Sequence, residues 1–294
     1  MRRLNLPLRL MQTRTVDRRP TRVAYALPTF FTAGNMFLGF VAILKAFQGA
    51  MVVMAGNLGP NIHFEHAAKM IGLAVLLDGL DGRIARMTNT TSDFGREMDS
   101  LADAITFGLA PAVLAFAWGM HFVDTSGDYF LRDHLLRIGY FVAFLFLLCG
   151  VSRLARFNVQ TNPIPKNPGR PDRKYFVGLP IPAAAGLVAA VVYAANSQPV
   201  RWWFFSALWL LLLALLSFLM VSTWRYRSFK DLSLVRPRSP LFVIVAGSFI
   251  YLIWNYSQAM LLAIGIFYVG SGIVVRIGGI LRRRFRRAEP ELAH

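Results

Sequence analysis

Three kinds of residue are scarce in this 294-residue chain, and each scarcity excludes something. There is one cysteine, Cys149, set in an apolar run, so no disulfide framework can form within the chain and the thiol reads as a buried bystander. Charged residues make up only 16%, where a soluble globular chain carries about 25%. With 55% hydrophobic residues and a mean hydropathy of +0.47, the composition excludes an ordinary soluble domain and indicates a polytopic membrane protein. Acidic residues are the rarest charges, 15 against 32 basic ones, for a formal net charge of +17. Such a surplus fits nucleic-acid binding in a soluble chain. Here the arginines cluster between apolar runs, with no aromatic-interleaved basic stretch of the kind that grips single strands, so no nucleic-acid partner is expected. The charge instead sets orientation against an anionic leaflet.

The few carboxylates are not spread evenly. Residues 78–86 read D-G-L-D-G-R-I-A-R, and residues 95–103 read G-R-E-M-D-S-L-A-D. Asp78, Asp81, Asp99 and Asp103 thus lie between two apolar stretches, Ile71–Leu77 and Ile105–Trp118. Ionised side chains are costly near hydrocarbon, and carboxylates close together repel, so the pattern makes sense if a cation binds there. Asp78 and Asp81 are three residues apart and Asp99 and Asp103 four, so on helices each pair shares one face. Asn89, Thr90, Thr91, Ser92 and Asp93 supply a turn between them. Two antiparallel helices can then build a cage for one or two hard divalent cations, Mg²⁺ or Mn²⁺. Gly79, Gly82 and Gly95 leave room beside the backbone, and Arg83 and Arg86 add positive charge, which together point to a phosphate or diphosphate ligand. The first pair alone is also compatible with a calcium loop or a polar turn; two pairs at helical spacing argue for the cage.

Apolar periods divide the chain into eight expected transmembrane helices, an all-α bundle. They span about Phe30–Ala46, Ala67–Arg86, Gly95–Met120, Ile138–Arg156, Phe176–Ala195, Trp202–Thr223, Leu241–Trp254 and Met260–Ile280. The Arg-rich start is too long for the n-region of a signal peptide, and the apolar run after it too long for an h-region, so the first helix is read as retained. The expected organisation is a basic segment at 1–28, a six-helix domain holding the carboxylates at 29–223, a basic loop with two more helices at 224–281 and a basic tail at 282–294. Eight spans put both termini on one side of the membrane. That side collects 27 of the 32 basic residues, and by the positive-inside rule it is cytoplasmic. Both carboxylate pairs then lie at the cytoplasmic ends of their helices, and the site opens to the cytoplasm.

The motif Asp78-x-x-Asp81-Gly82-x-x-Ala85-Arg86, eight residues, Gly95-x-x-x-Asp99-x-x-x-Asp103 resembles the signature of the CDP-alcohol phosphatidyltransferases, with every fixed position present. The resemblance reaches over helices one to six and implies that family's fold. It also implies the activity, transfer of a phosphatidyl group from a CDP-linked lipid to an alcohol with release of CMP. On the same ground Asp78, Asp81 and Asp99 bind one metal ion. Asp78, Asp99 and Asp103 bind or approach a second, and Asp103 takes the proton of the acceptor hydroxyl. Gly82, Arg86 and Gly95 flank the CDP moiety, while Thr32 and Asn35 of the first helix lie near cytidine and phosphate. The family often has Pro-Asn before the first helix; this chain has Pro28-Thr29. The resemblance also implies a homodimer among membrane phospholipids.

Two further stretches, S-R-L-A-R-F-N at 152–158 and F-V-G-L-P-I-P-A-A-A at 176–185, resemble the integral-membrane phosphatidylserine synthases of bacteria. The expected substrates are therefore CDP-diacylglycerol and L-serine. Serine carries a carboxylate, and Arg153 or Arg156 at the cytoplasmic end of the fourth helix is placed to meet it, although both also serve as positive-inside anchors. None of the five histidines is followed two residues later by lysine, so the H-x-K mechanism of the other class of serine-using synthases is not expected. Two alternatives stand beside this reading. One is the same chemistry with glycerol phosphate, inositol phosphate or choline as acceptor. The other is an ion-coupled transporter, for which the sequence shows no internal repeat or paired broken helices.

Overall fold

The computed structural model describes residues 22–88, 93–125, 127–161, 175–227, 247–248 and 251–288. Its helices are α1 (Arg22–Met54), α2 (Ile62–Thr88), α3 (Asp93–Asp103), α4 (Ala110–Gly119), α5 (Tyr129–Thr161), α6 (Ile181–Ala194), α7 (Trp203–Val221) and α8 (Ser257–Ala288). A single π-helical stretch, Ala104–Leu109, joins α3 to α4. The all-α class stands. The one sheet among the described residues is a ribbon of two three-residue strands, β1 (Tyr175–Val177) and β2 (Arg225–Arg227), paired antiparallel with Phe176 opposite Tyr226.

Among the described residues, five stretches are long and apolar enough to cross a membrane: Thr29–Met54, Phe94–Gly119, Tyr129–Val159, Trp203–Val221 and Ser257–Arg276. Helix α2 falls short of that standard because Glu65, Lys69 and the motif charges interrupt it, and α6 is a shorter apolar helix of 14 residues. Large apolar side chains such as Phe37, Phe40, Phe141, Phe144 and Phe267 stand on the outside of the bundle, as expected where hydrocarbon replaces water.

Several helices begin or end elsewhere than the periodicity suggested. The expected fourth helix starts at Tyr129 rather than Ile138, because the Asp128 carboxylate accepts the Leu131 N–H at 3.0 Å and caps the first turn. The expected connection before the second helix is shorter. Asn61 caps α2, its Oδ1 accepting the His63 N–H at 3.0 Å while its Nδ2 donates to the Gly49 carbonyl at 2.9 Å. His63 and His66, which precede the expected start of the second helix at Ala67, therefore lie in the first turns of α2. Phe176, expected to open the fifth helix, is in β1; Gly178 at φ +79° turns the chain before Pro180 and α6. Most of the expected seventh helix, Leu241–Trp254, lies outside the described residues; 247–248 and 251–255 are helical.

α3 and α4 run through the middle. Eight of the ten residues of α4 are buried, and α1, α2, α5 and α6 all pack on the continuous α3–π–α4 rod. Small residues set the closeness of these contacts. A side chain at Gly39 of α1 would strike Thr106, with a Cβ only 2.7 Å from its Cα, and one at Gly119 would strike the Trp209 ring. That ring is fixed by its Nε1 donating to the Ala115 carbonyl at 3.0 Å, and Ser206 Oγ donates to the Gly119 carbonyl at 2.8 Å.

Candidate active site

The motif lands on two neighbouring elements. Asp78 lies near the C-terminal end of α2; Asp99 and Asp103 are one turn apart on α3. One carboxylate oxygen from each of Asp78, Asp99 and Asp103 falls within 4.8 Å of the others. Asp103 is buried and the other two are half-buried. Asp81, Gly82 and Arg86 are carried on α2, but the side chains of Asp81, Arg83 and Arg86 lie outside the described part.

Helix α1 closes one wall. Thr32 and Asn35, the two positions singled out on the first helix, are both buried, one turn apart. Asn35 Nδ2 donates to Asp103 Oδ1 at 3.5 Å, while Asn35 Oδ1 is buried with no donor among the described residues. Gly95, in the first turn of α3, is half-buried. What holds α1 at this depth is the turn after Asp103. Thr106 Oγ1 donates to the backbone carbonyl of Asn35 at 3.0 Å, and Gly39 removes the side chain that would block the approach.

That turn is the π-helical stretch, and sequence reasoning passed over it. Pro111 has no N–H for the carbonyl of Phe107, and its ring crowds that carbonyl, so an α-helical ladder cannot continue through 107–111. The helix widens over Ala104–Leu109, and the Ala110 N–H reaches back to Ile105. The widened turn directly follows Asp103 and carries Thr106 to α1. The signal was available in the sequence as a proline four residues after Phe107 within an expected helix.

The two arginines of α5 differ in their surroundings. Arg156 is engaged with backbone: Nη1 donates to the Val221 carbonyl at 3.2 Å and Nη2 to the Val177 carbonyl at 3.5 Å. It ties the end of α7 and strand β1 to α5. Arg153, nearly one turn earlier, has a buried Nε with no acceptor among the described residues. Among the described residues, the charges of Arg156 and Asp103 are felt at its guanidinium. Asn158, further along α5, donates to Ser100 Oγ at 2.9 Å and joins α5 to the face of α3 next to the carboxylates. A cleft of about 630 Å³ lies here between α3 and α5, bordered by Arg96, Glu97 and Asn158 at its polar side and by Leu101, Val151 and Leu154 at its apolar side.

The donor set fits a hard divalent cation. Three carboxylates converge and an amide oxygen beside them is buried without a donor, an acceptor-rich arrangement that a metal ion completes and an apolar or anionic ligand does not. Residues 25–217 match the CDP-alcohol phosphatidyltransferase family. The chain belongs to that family. Among curated relatives, it is 38% identical over 226 residues to the CDP-diacylglycerol–serine O-phosphatidyltransferase of Helicobacter pylori (strain ATCC 700392 / 26695), covering 77% of this chain and 81% of that one. It is 31% identical over 208 residues to the Bacillus subtilis (strain 168) protein of the same name, covering 69% of this chain and 91% of that one. It is also 34% identical over 167 residues to the archaetidylserine synthase of Methanothermobacter thermautotrophicus, covering 56% of this chain and 57% of that one. As a family member, the chain has its carboxylate motif within the matched region, whereas β2 and α8 lie beyond it.

Proposed function

We propose that the chain transfers the phosphatidyl group of CDP-diacylglycerol to the hydroxyl of L-serine, giving phosphatidylserine and CMP. The observation that carries the chemistry is the convergence of Asp78, Asp99 and Asp103 within 4.8 Å beside Asn35. Family membership and relatives named for the serine reaction support the acceptor. Neither transport nor another acceptor is favoured by any of these observations.

Asp78, Asp81 and Asp99 would hold one divalent ion, Mg²⁺ or Mn²⁺, and Asp78, Asp99 and Asp103 a second. Bound there, such ions supply Lewis acidity, drawing charge from the diphosphate as CMP leaves. Arg86, Gly82 and Gly95 flank the diphosphate, and Thr32 and Asn35 bound the cytidine side. Asp103 accepts the proton of the serine hydroxyl. The hydroxyl oxygen attacks the phosphorus attached to diacylglycerol, the bond from that phosphorus to the CMP oxygen breaks, and CMP leaves with the electron pair. The Asn35 amide, donating to Asp103, orients the carboxylate for that step. Arg153 meets the serine carboxylate, since its Nε is buried without an acceptor while Arg156 is occupied by backbone. The cleft between α3 and α5, polar on one side and apolar on the other, suits the lipid end of the donor.

The clustering of arginine at one end supports a cytoplasm-facing site in a bacterial inner membrane with both termini cytoplasmic. We take the working unit to be a homodimer, with residues 29–223 as the catalytic domain, 224–281 an added pair of helices and 1–28 and 282–294 basic flanks. The test is CMP release by purified protein from CDP-diacylglycerol with serine, glycerol phosphate, inositol phosphate or choline. Serine alone should drive release; turnover with another acceptor and none with serine overturns the assignment.

A further inference from the structure

Asn35 is gripped at two points by one element. Its amide Nδ2 donates to Asp103 Oδ1 at 3.5 Å, and its backbone carbonyl accepts from Thr106 Oγ1 at 3.0 Å. All three residues are buried. The two contacts differ in slack. The Thr106 bond has an ordinary length, whereas 3.5 Å is at the outer edge of what a hydrogen bond tolerates, so a retreat of α1 by a few tenths of an ångström ends it. Thr106 also makes an uncommon choice of partner. A threonine inside a helix can turn its hydroxyl back to the carbonyl four residues earlier; this one crosses to another helix. It does so from the widened turn Ala104–Leu109, opposite a position without a side chain: a Cβ at Gly39, one turn beyond Asn35, would lie 2.5 Å from Thr106 Oγ1.

We infer that Thr106 is a positioning residue for the transfer step: its hydroxyl fixes the height of α1, and through Asn35 the aim of the Asp103 carboxylate, without touching either substrate. This rests on the reading above in which Asp103 accepts the proton of the acceptor hydroxyl. Proton transfer needs the carboxylate in one orientation at the moment of attack, so a small displacement costs rate and leaves ground-state binding alone. Asp103 and Thr106 are three residues apart on a single rod, so the base and the anchor of its partner move together. Asn35 is therefore set relative to Asp103 itself. The catalytic motif ends at Asp103 and does not include Thr106; the contact arises from the turn that Pro111 forces and from the missing side chain at Gly39.

The test uses full-length protein and steady-state CMP release. Thr106→Ser removes the methyl and keeps the hydroxyl; Thr106→Ala removes both and adds no bulk, so the pair isolates the hydrogen bond. Thr106→Ser should turn over close to wild type. In Thr106→Ala kcat should fall by about three- to tenfold, with the KM values for serine and CDP-diacylglycerol within about twofold of wild type. A positioning role has a second signature. With Asn35→Ala already present, Thr106→Ala should cost no further kcat, because no amide is left to aim; a hydroxyl that only holds the bundle together costs the same in both backgrounds. If Asn35→Ala yields no folded protein, Gly39→Ala takes its place, since it pushes α1 off the same hydroxyl and should leave little for Thr106→Ala to remove. Equal kcat in Thr106→Ala and Thr106→Ser, a loss carried by KM, or strict additivity in the cycle overturns the inference. A wild type that releases no CMP with serine overturns the serine reading instead, and the same variants are then compared with the acceptor that does support release.

Discussion

Two apolar helices of this protein behave in opposite ways. In the stretch Phe94–Gly119, which holds α3, the π turn and α4, 61% of the most apolar window is buried inside the protein; in Ser257–Arg276, at the start of α8, the figure is 11%. Yet the outer helix is the more apolar of the two. In water that order would be inverted, since apolar surface is driven inward. In a bilayer the lipid is as apolar as leucine, so hydropathy reports that a helix is in the membrane and small residues and polar contacts decide how deep in the bundle it sits. The central helix can carry two aspartates because other helices surround it. The outer helix is held at a few places: Gly265 lets it close on Leu187, Gly272 meets the Tyr226 ring, Val269 is buried, and Ser257 and Gln258 at its start bond to Tyr193 and Asn196.

The largest effect should come from the central rod. Asp99→Ala, and likewise Asp78→Ala, should abolish transfer while leaving insertion and folding intact, because each removes one wall of the cage. Stripping metal from wild type should have the same result and adding Mg²⁺ or Mn²⁺ should restore activity. Full turnover after exhaustive chelation, checked by metal analysis, sinks the cage. Next comes Asp103→Asn (D103N), for which turnover should fall about 10²- to 10⁴-fold while CDP-diacylglycerol binding, measured separately, persists. Near-native turnover would remove Asp103 as the base.

Arg153→Lys tests the edge of the site rather than its centre. Losing the planar fork should cost about 1.5–3 kcal/mol in serine use, read as serine kcat/KM, with the donor KM little changed. The same substitution at Arg156 should act differently. It loosens the ends of α7 and β1 and should lower thermal stability rather than serine KM alone. Equal and purely serine-specific effects at both positions would erase that distinction. Gly39→Ala should come next, at about 1–3 kcal/mol of stability, since a Cβ there meets the backbone of Thr106 and pushes α1 away from Asp103. A melting temperature equal to wild type would mean that α1 need not sit so close. Smallest of all is Gly270→Ala on α8, where a new Cβ meets nothing within 4 Å. Activity should be unchanged and the melting temperature equal or slightly higher, from helix propensity alone. A marked loss would show that α8 is packed on that face too.

Much of this was legible without coordinates. The spacing of Asp78, Asp81, Asp99 and Asp103 is a local property, because helical periodicity turns a separation of three or four residues into a shared face. Composition and arginine placement likewise depend only on what the chain carries and where. Capping was legible in principle and was overlooked: Asp128 and Asn61 begin α5 and α2 by local hydrogen bonds, and each extends its helix beyond the apolar run. What only the tertiary structure decided are relations between residues far apart in sequence. Asn35 donating to Asp103, Thr106 holding α1, and Tyr226 set against Gly272 each join elements separated by at least 46 positions. The sequence placed Arg153 and Arg156 on equal terms, three residues apart on one helix. Packing separated them, because the carbonyls of Val177 and Val221 arrive from other elements to occupy one guanidinium, while the Nε of the other is buried with no acceptor among the described residues.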